Sequence, residues 1–369
     1  MSIIGGVIFM VVFLALIAGM IYYLSKRLAL FFSTASIKWW ITGLSGMTVF
    51  VGFVQFLPAT PDFIGRTGNI IGSFWMVGLV SFTLAVAIID LINLFVKIKP
   101  SVRGFLSLGL VSALLIGGFI RANSIRVKEV SIPIAGLTKE VKAVHITDIH
   151  LGDFWGKERL NKVVETTMAL HPDVVFNTGD MFDSQVHFSE NSDVLEPLKK
   201  LTVPHYFVHG NHDEYEGVEI VVERMKNAGA IVLQNEIADF GELQIIGLNN
   251  MAKDTITFDV HAVAGAETVE SVMAQLPVAA DRPTIVLHHR PEGVEYMAAK
   301  SADLLLSGHT HAGQVFPFTL MAKSMFTYNK GLYSYKNMHI YVSEGVGTVF
   351  VPLRIGTSSD ITLIRLVPE

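Results

Sequence analysis

Five short segments in the last two thirds of the 369-residue chain carry most of its chemically capable side chains. They read Asp148-Ile149-His150, Gly179-Asp180-Met181-Phe182-Asp183, Gly210-Asn211-His212-Asp213, His288-His289-Arg290-Pro291 and Gly308-His309-Thr310-His311. Carboxylate, amide and imidazole donors without any thiolate suit pairs of Mn, Fe, Zn, Co or Ni ions. Two such ions can clamp the attacking and leaving oxygens of a phosphoester. Asp148 and His150 lie two apart, so an extended backbone would turn both toward one ion. Asn211 offers a neutral carbonyl oxygen to a second.

Each segment follows an apolar run of strand type. Strands are expected at Val141–Ile146, Asp173–Asn177, His205–Val208, Ile231–Leu233, Thr284–Leu287, Ala302–Leu306, His339–Val342 and Ile361–Leu366, with a hairpin through Leu243–Leu248. Helices are expected near Lys157–Leu170, Val194–Leu201 and Val218–Asn227. The βαβ rhythm implies largely parallel pairing. So many strands would overfill one sheet, so two packed mixed sheets flanked by helices are expected, an α/β class domain. The motifs then fall at carboxyl ends of strands, where loops converge on one crevice.

The order DxH, GDxxD, GNHD, HxP and GHTH resembles the calcineurin-like metallophosphoesterase superfamily over roughly 126–369. The tail Gly345-Val346-Gly347-Thr348 followed by Pro352-Leu353-Arg354 is similar to its bacterial membrane-associated branch. The resemblance implies metal ligation by Asp148, His150, Asp180, Asn211, His289, His309 and His311. Asp180 would bridge the two ions, with His311 on the first and His309 on the second. The family's pattern of His, any residue, Pro, acid fits His289-Arg290-Pro291-Glu292, which favours His289 over its neighbour His288. The resemblance also implies that His212 protonates the leaving oxygen with Asp183 orienting it, Asp213 being the other candidate orienter. His145, His205 and His209 are read as packing residues or supports of the ligands.

The implied reaction is hydrolysis of a phosphomonoester or phosphodiester by in-line attack of a hydroxide bridging the ions. Retention of His212 weighs against a nucleotide-lipid pyrophosphatase of the UDP-diacylglucosamine hydrolase kind. A non-catalytic membrane scaffold or sensor with a vestigial site is a third reading, and an intact ligand set argues against it. No side chain outside the ligand set is placed as a covalent nucleophile.

The first 124 residues differ in kind. Four apolar spans are expected at about 3–24, 39–57, 70–96 and 104–120, each long enough for a hydrocarbon core of about 30 Å. A cleaved signal peptide is disfavoured, since only Met-Ser precedes the first run. The domains are thus a membrane region at 1–124 and a phosphoesterase domain at 125–369. The first holds eight Lys/Arg against two acids, and the rest holds 20 bases against 31 acids. An acidic globular part argues against nucleic acid as a partner. Lys26, Arg27 and Lys38 fall in the first connection, Arg66 alone in the second, and Lys97, Lys99 and Arg103 in the third. Positive-inside bias then puts both termini and the metal-site domain of this multi-pass cell-membrane protein on the extracytoplasmic side. Asp90 is read as a headgroup-level residue bordering Asn93 and Lys97, with nothing in the spans to pair it.

The loops shaping the pocket are Phe154–Trp155, Gln185–Ser192, Asn249–Val263 and Phe316–Lys336. A membrane-tethered site suggests a lipid-linked phosphate as partner, with Phe154, Trp155, Phe316 and Phe318 forming an apolar approach. The absence of cysteine removes disulfides and thiolate sites.

Overall fold

The computed structural model describes residues 3–33, 36–55, 62–183, 193–254 and 267–369. Pro58, Pro61, the 185–192 loop and the 255–263 part of the next loop lie outside the described residues. The chain divides into two compact units at Phe119/Ile120.

In the first unit α1 spans Ile3–Phe31, α2 Ile37–Gln55, α3 Asp62–Phe95 and α4 Pro100–Asn123. All four are long and apolar enough to cross a membrane. Leu24, Phe31, Leu79 and Val86 form part of a small apolar cluster where α1 meets α3. Lys26 and Arg27 lie inside α1 rather than in a connection, and residue 66 lies inside α3. Asp90 is not unpaired. Arg27 Nε is 2.6 Å and Arg103 Nη1 3.1 Å from its carboxylate, and Tyr23 donates its hydroxyl to it at 2.7 Å. The reason is topological: helix packing brings together α1, α3 and α4 residues that no local pattern links.

The second unit opens with β1 (Ile125–Ile134) and β2 (Val141–Ile146), then α5 (Lys157–Ala169), β3 (Val174–Asn177) and β4 (His205–Phe207). Next come α6 (Asn211–Glu216), α7 (Val218–Asn227), β5 (Ile231–Val232), β6 (Glu236–Phe240), β7 (Leu243–Gly247) and α8 (Val269–Gln275). The remainder is β8 (Thr284–Leu287), α9 (Val294–Ala299), β9 (Leu304–Ser307), α10 (Phe318–Met325), β10 (Gly331–Tyr335), β11 (Met338–Val342) and β12 (Ser359–Pro368).

Two six-stranded mixed sheets result, ordered β1-β12-β2-β3-β4-β5 and β10-β11-β9-β8-β7-β6. Strands β2 to β5 pair in parallel, as do β7, β8, β9 and β11. Side-chain parity builds the layers. Ala143, Val174, Phe176, Ile285, Leu287, Leu304 and Leu306 face the core between the sheets. Their neighbours Val144, Ile146 and Val175 face α5 and α7, whereas Val286 and Leu305 face α8 and α9. Strands buried on both sides are therefore continuous apolar runs. The architecture is the expected α/β/β/α sandwich.

Two local expectations change. The segment expected as a helix over 194–201 is a 3₁₀ turn at Glu196–Lys200, because Pro197 removes a donor and biases its predecessor away from helix. The ten-residue β1 (Ile125–Ile134) precedes the first strand expected from sequence, Val141–Ile146. It pairs in parallel with β12 from Ile125 to Ile134. Its outer-edge position leaves Arg126 and Glu129 exposed, which weakens the apolar alternation.

Candidate metal centre

All five segments lie just beyond the carboxyl ends of β2, β3, β4, β8 and β9. Their donor atoms converge from both sheets. Asp148, His150 and His311 form one group, and Asp180, His289 and His309 another, with donor atoms within 4.8 Å of one another in each. His150, Asp180 and His212 form a third group that overlaps both. Asn211 Oδ1 lies 2.9 Å from His309 Nδ1, joining the second group.

The ligand pairs do not converge by strand alternation. Asp148, His150, Asp180, His309 and His311 all have φ between 46° and 72°. Left-handed backbone is uncommon for such residues and costs on the order of 1–3 kcal/mol each. The surrounding packing holds five candidate ligands in it, which turns their side chains inward from tight bends. Glycine makes room at two points. A Cβ on Gly308 would stand 2.1 Å from Asp148 Oδ2, and Gly179 at φ +93° would place one 2.4 Å from Gly210 N.

Backbone amides fix the carboxylates. His309 N–H donates to Asp148, and His212 N–H donates to Asp180 Oδ1 at 2.9 Å. Asp180 Oδ2 is then left toward His289 Nε2 at 3.1 Å and His150 Nε2 at 3.8 Å. His289 Nδ1 lies 2.7 Å from the Thr178 carbonyl, an acceptor only, so Nδ1 carries a proton and Nε2 is the nitrogen turned to the site for ligation. His288 is fully buried and takes part in none of the donor groups found among the described residues. The structure thus brings His289, and not His288, to the cluster.

Burial sets the protonation of the site. It lowers His150 to about 4 and takes His309 and His311 well below the usual imidazole range. All three are neutral near pH 7, the ligating form. Burial also raises Asp148 to about 6, with Asp180 adding to the effect. His289 goes the other way. Burial lowers it, but Asp180 and Asp148 outweigh that and raise it to about 9. Asp180, despite its burial, is held well below the carboxylate range by the imidazoles of His289, His212 and His150. Two carboxylates, an amide and four imidazoles, mostly deprotonated, fit a pair of divalent ions of the Mn-to-Zn series.

Proximity alone does not separate His212 from these ligands. Its carboxylate partner does: burial lowers its pKa, yet Asp183, which stands in none of the donor groups among the described residues, and Asp180 raise it above the ordinary value. Its Nδ1 is 3.7 Å from Asp183 Oδ1, within ion-pair reach but beyond a hydrogen bond. Asp213 is committed elsewhere. Its carboxylate accepts from the amides of Gly210, Met181 and Phe182, pinning the turn after Asp180. The supports read from sequence lie close by. His145 Nε2 contacts Thr178 Oγ1 at 2.8 Å, and His209 Nε2 sits 3.4 Å from Glu214. His205 is buried at the start of β4, away from the motif ends.

Two residues stand differently from their sequence reading. Trp155 is not part of an apolar approach. It is buried, donates to Thr348 Oγ1 at 2.9 Å and lies under the Arg159 guanidinium at 4.6 Å. An indole N–H with a buried partner is drawn inward. Arg354, quoted above only for its place in the tail, is fully buried behind His311. It donates to the carbonyls of His311, Gly345 and Gly347, and its Nη2 lies 3.2 Å from His311 Nδ1. Its signal in sequence was a lone arginine among Val351, Pro352 and Leu353.

Known proteins are similar to this chain over the stretch that carries the five segments. The family model for calcineurin-like phosphoesterases matches residues 141–313. An uncharacterized metallophosphoesterase of Helicobacter pylori is 33% identical over 281 residues, covering 73% of each chain. A transmembrane protein with metallophosphoesterase domain from Danio rerio is 32% identical over 71% of this chain and 62% of its own. The phosphodiesterase YaeI of Escherichia coli is 29% identical over 61% of this chain and 82% of its own. With its motifs in family order and its donors gathered at one crevice, the chain belongs to the calcineurin-like metallophosphoesterases.

Proposed function

We propose that this protein is a membrane-anchored phosphoesterase that hydrolyses a phosphomonoester or phosphodiester at a two-metal site. The supporting observation is the pair of donor groups, Asp148–His150–His311 and Asp180–His289–His309, which meet where Asp180 faces both His150 and His289. Asp148, His150 and His311 would hold one divalent ion, Asn211, His289 and His309 the other, with Asp180 between them. When bound, the ions supply charge to polarise the phosphoryl group and to make water a nucleophile near neutral pH. Water oxygen adds to phosphorus in line with the ester oxygen, and the P–O ester bond breaks. The departing oxygen needs a proton, and His212 provides it. The Asp183 and Asp180 carboxylates outweigh burial and raise its pKa, which favours the protonated form, while Nδ1 faces Asp183 and leaves Nε2 for the substrate. The named activity of the Escherichia coli relative supports the diester side of this reading.

The distribution of Lys and Arg supports a domain on the extracytoplasmic side, which a reporter fused after Glu369 tests. The hydrolase reading is tested with the full chain in nanodiscs, loaded in turn with Mn, Fe, Zn, Co and Ni. A panel of mono-, di- and pyrophosphate esters should show ester turnover that disappears in Asp180→Asn. Turnover of none of the panel with any of the five ions would sink it.

A further inference from the structure

Residues 125–369 expose eleven large apolar side chains among the described residues, and seven of them lie between Phe316 and Phe350. Such side chains scattered singly need no account; a cluster does. Helix α10 buries only Ala322 and turns Phe318, Leu320, Met321 and Met325 to the outside, the last at 67% exposure. Phe316 precedes it, and Phe350 is brought alongside by Gln314, whose amide donates to the carbonyls of Val349 and Val351.

Charge singles out the same ground. No Asp or Glu occurs between Asp303 and Glu344, whereas Lys323, Lys330 and Lys336 do. The rest of the domain is strongly acidic. Lys323 lies on α10 itself, Lys336 follows in the β10–β11 turn, and Lys330 faces Glu344 at 3.5 Å. An apolar helix with a lysine and no acid of its own has the composition of a segment lying in the interface of an anionic bilayer. The bilayer is also within reach. Only Ser124 separates the end of apolar α4 from the start of β1, so the domain is confined to the membrane's vicinity by a single linking residue.

The patch adjoins the metal centre. His309 packs edge-on against Phe326 at 5.6 Å, one residue beyond α10. The Phe350 segment leads within four residues to Arg354, which holds His311.

We propose that α10 and the Phe350 segment form a rim that inserts into an anionic bilayer interface, and that the site takes its phosphate ester from that bilayer. The substrate class is an amphiphile with the phosphate in its head group, which the rim would admit without full extraction from the membrane. This substrate class rests on the hydrolase reading above; the insertion of the rim does not.

The chain has no cysteine, so Leu320→Cys and Glu223→Cys on α7 give single labelling sites on the full-length protein. Each is labelled with a polarity-sensitive fluorophore in nanodiscs of phosphatidylcholine and phosphatidylglycerol containing doxyl-labelled lipid. The expected result is a blue-shifted probe at 320, quenched by doxyl lipid at least about twofold more than the probe at 223. Equal quenching at both positions overturns the insertion. So does a blue shift without quenching, which would mean that a second copy of the chain covers α10.

The second arm compares wild type with the pair Leu320→Glu and Met321→Glu in the same nanodiscs. The ratio of bilayer-ester to water-soluble aryl-diester turnover should fall about tenfold, and an unchanged ratio overturns the substrate class. If wild type hydrolyses neither ester, the hydrolase reading fails and the substrate class with it, while the quenching result alone decides the insertion.

Discussion

The imidazoles of His150 and His311 face each other nitrogen to nitrogen, Nε2 to Nε2, at 2.9 Å. Burial holds both rings neutral near pH 7. Arg354 can only donate to His311 Nδ1, so the neutral His311 ring carries its proton on Nε2 and donates it to His150 Nε2. Asp148 Oδ1 stands 3.3 Å from His311 Nε2, which biases the position toward positive charge. A divalent ion held by Asp148, His150 and His311 would replace that proton between the two nitrogens.

Metal loading should be coupled to proton release. In the metal-free protein His289 is raised to about 9 by Asp180 and Asp148 against the effect of its burial. Below that pH it carries a proton that an ion must displace. Apparent metal affinity should thus rise as pH climbs from 7 toward 9 and weaken on acidification. Titration calorimetry at pH 7 in buffers of different ionisation enthalpy checks this. Heats of binding that do not depend on the buffer would rule the coupling out.

Asp180→Asn and His212→Ala should separate two roles. The first removes charge from the carboxylate that faces both donor groups, so metal content per chain should fall at both positions. The second should leave the metal content intact and slow turnover by about 10²- to 10⁴-fold, the range for a positioned acid. The loss should be larger for an alkyl ester than for a nitrophenyl ester, whose leaving oxygen needs no proton. Plasma emission spectroscopy of the purified variants alongside kcat on both esters decides. Equal metal loss in the two variants would merge the roles.

How far the sequence carried the site follows from what kind of information each feature needs. Ligand identity was readable because the donors come in dense pairs, Asp148 with His150 and His309 with His311, each behind an apolar run. Their backbone was not. Left-handed bends at these five residues are imposed by contacts from other loops, such as the close approach of Gly308 to Asp148. The sandwich followed from strand count and parity, whereas β1 hid behind edge charges. Trp155 misled because an aromatic residue in a loop reads as exposed until its partner, Thr348, is placed 193 positions away. The ion partners of Asp90 were out of reach for the same reason, lying 63 positions before it and 13 after it.

That ion cluster should be a strength of the membrane unit that depends on completeness. Removing the acid in Asp90→Ala leaves Arg27 and Arg103 facing each other without compensation, at a cost on the order of 3 kcal/mol. The temperature at which detergent-solubilised protein loses monodispersity should fall. Arg27→Gln on the Asp90→Ala background removes one stranded charge and should recover part of the loss. No recovery would assign the defect to lost helix packing instead.

Arg354 offers the sharpest separation between holding a ligand and being one. Its guanidinium spans three carbonyls and His311 Nδ1 with donors on a rigid planar fork. A lysine in its place keeps the charge but has a single nitrogen, which cannot reach all four acceptors together. The carbonyls of His311 and Gly345 keep the amides of Gln314 and Asp360, so the loss falls on the Gly347 carbonyl, which costs about 1–3 kcal/mol when left without a donor. Arg354→Lys should therefore lower the unfolding temperature and loosen His311. Groups that orient a metal-ligating histidine contribute about 10- to 100-fold to metal affinity. The weakening should fall on the ion held by Asp148, His150 and His311, so titration with Mn should change from two tight events to one tight and one weak. His311→Ala should abolish the weaker event altogether. Two undiminished events in Arg354→Lys would show that the arginine holds only the 345–347 loop and not the ligand.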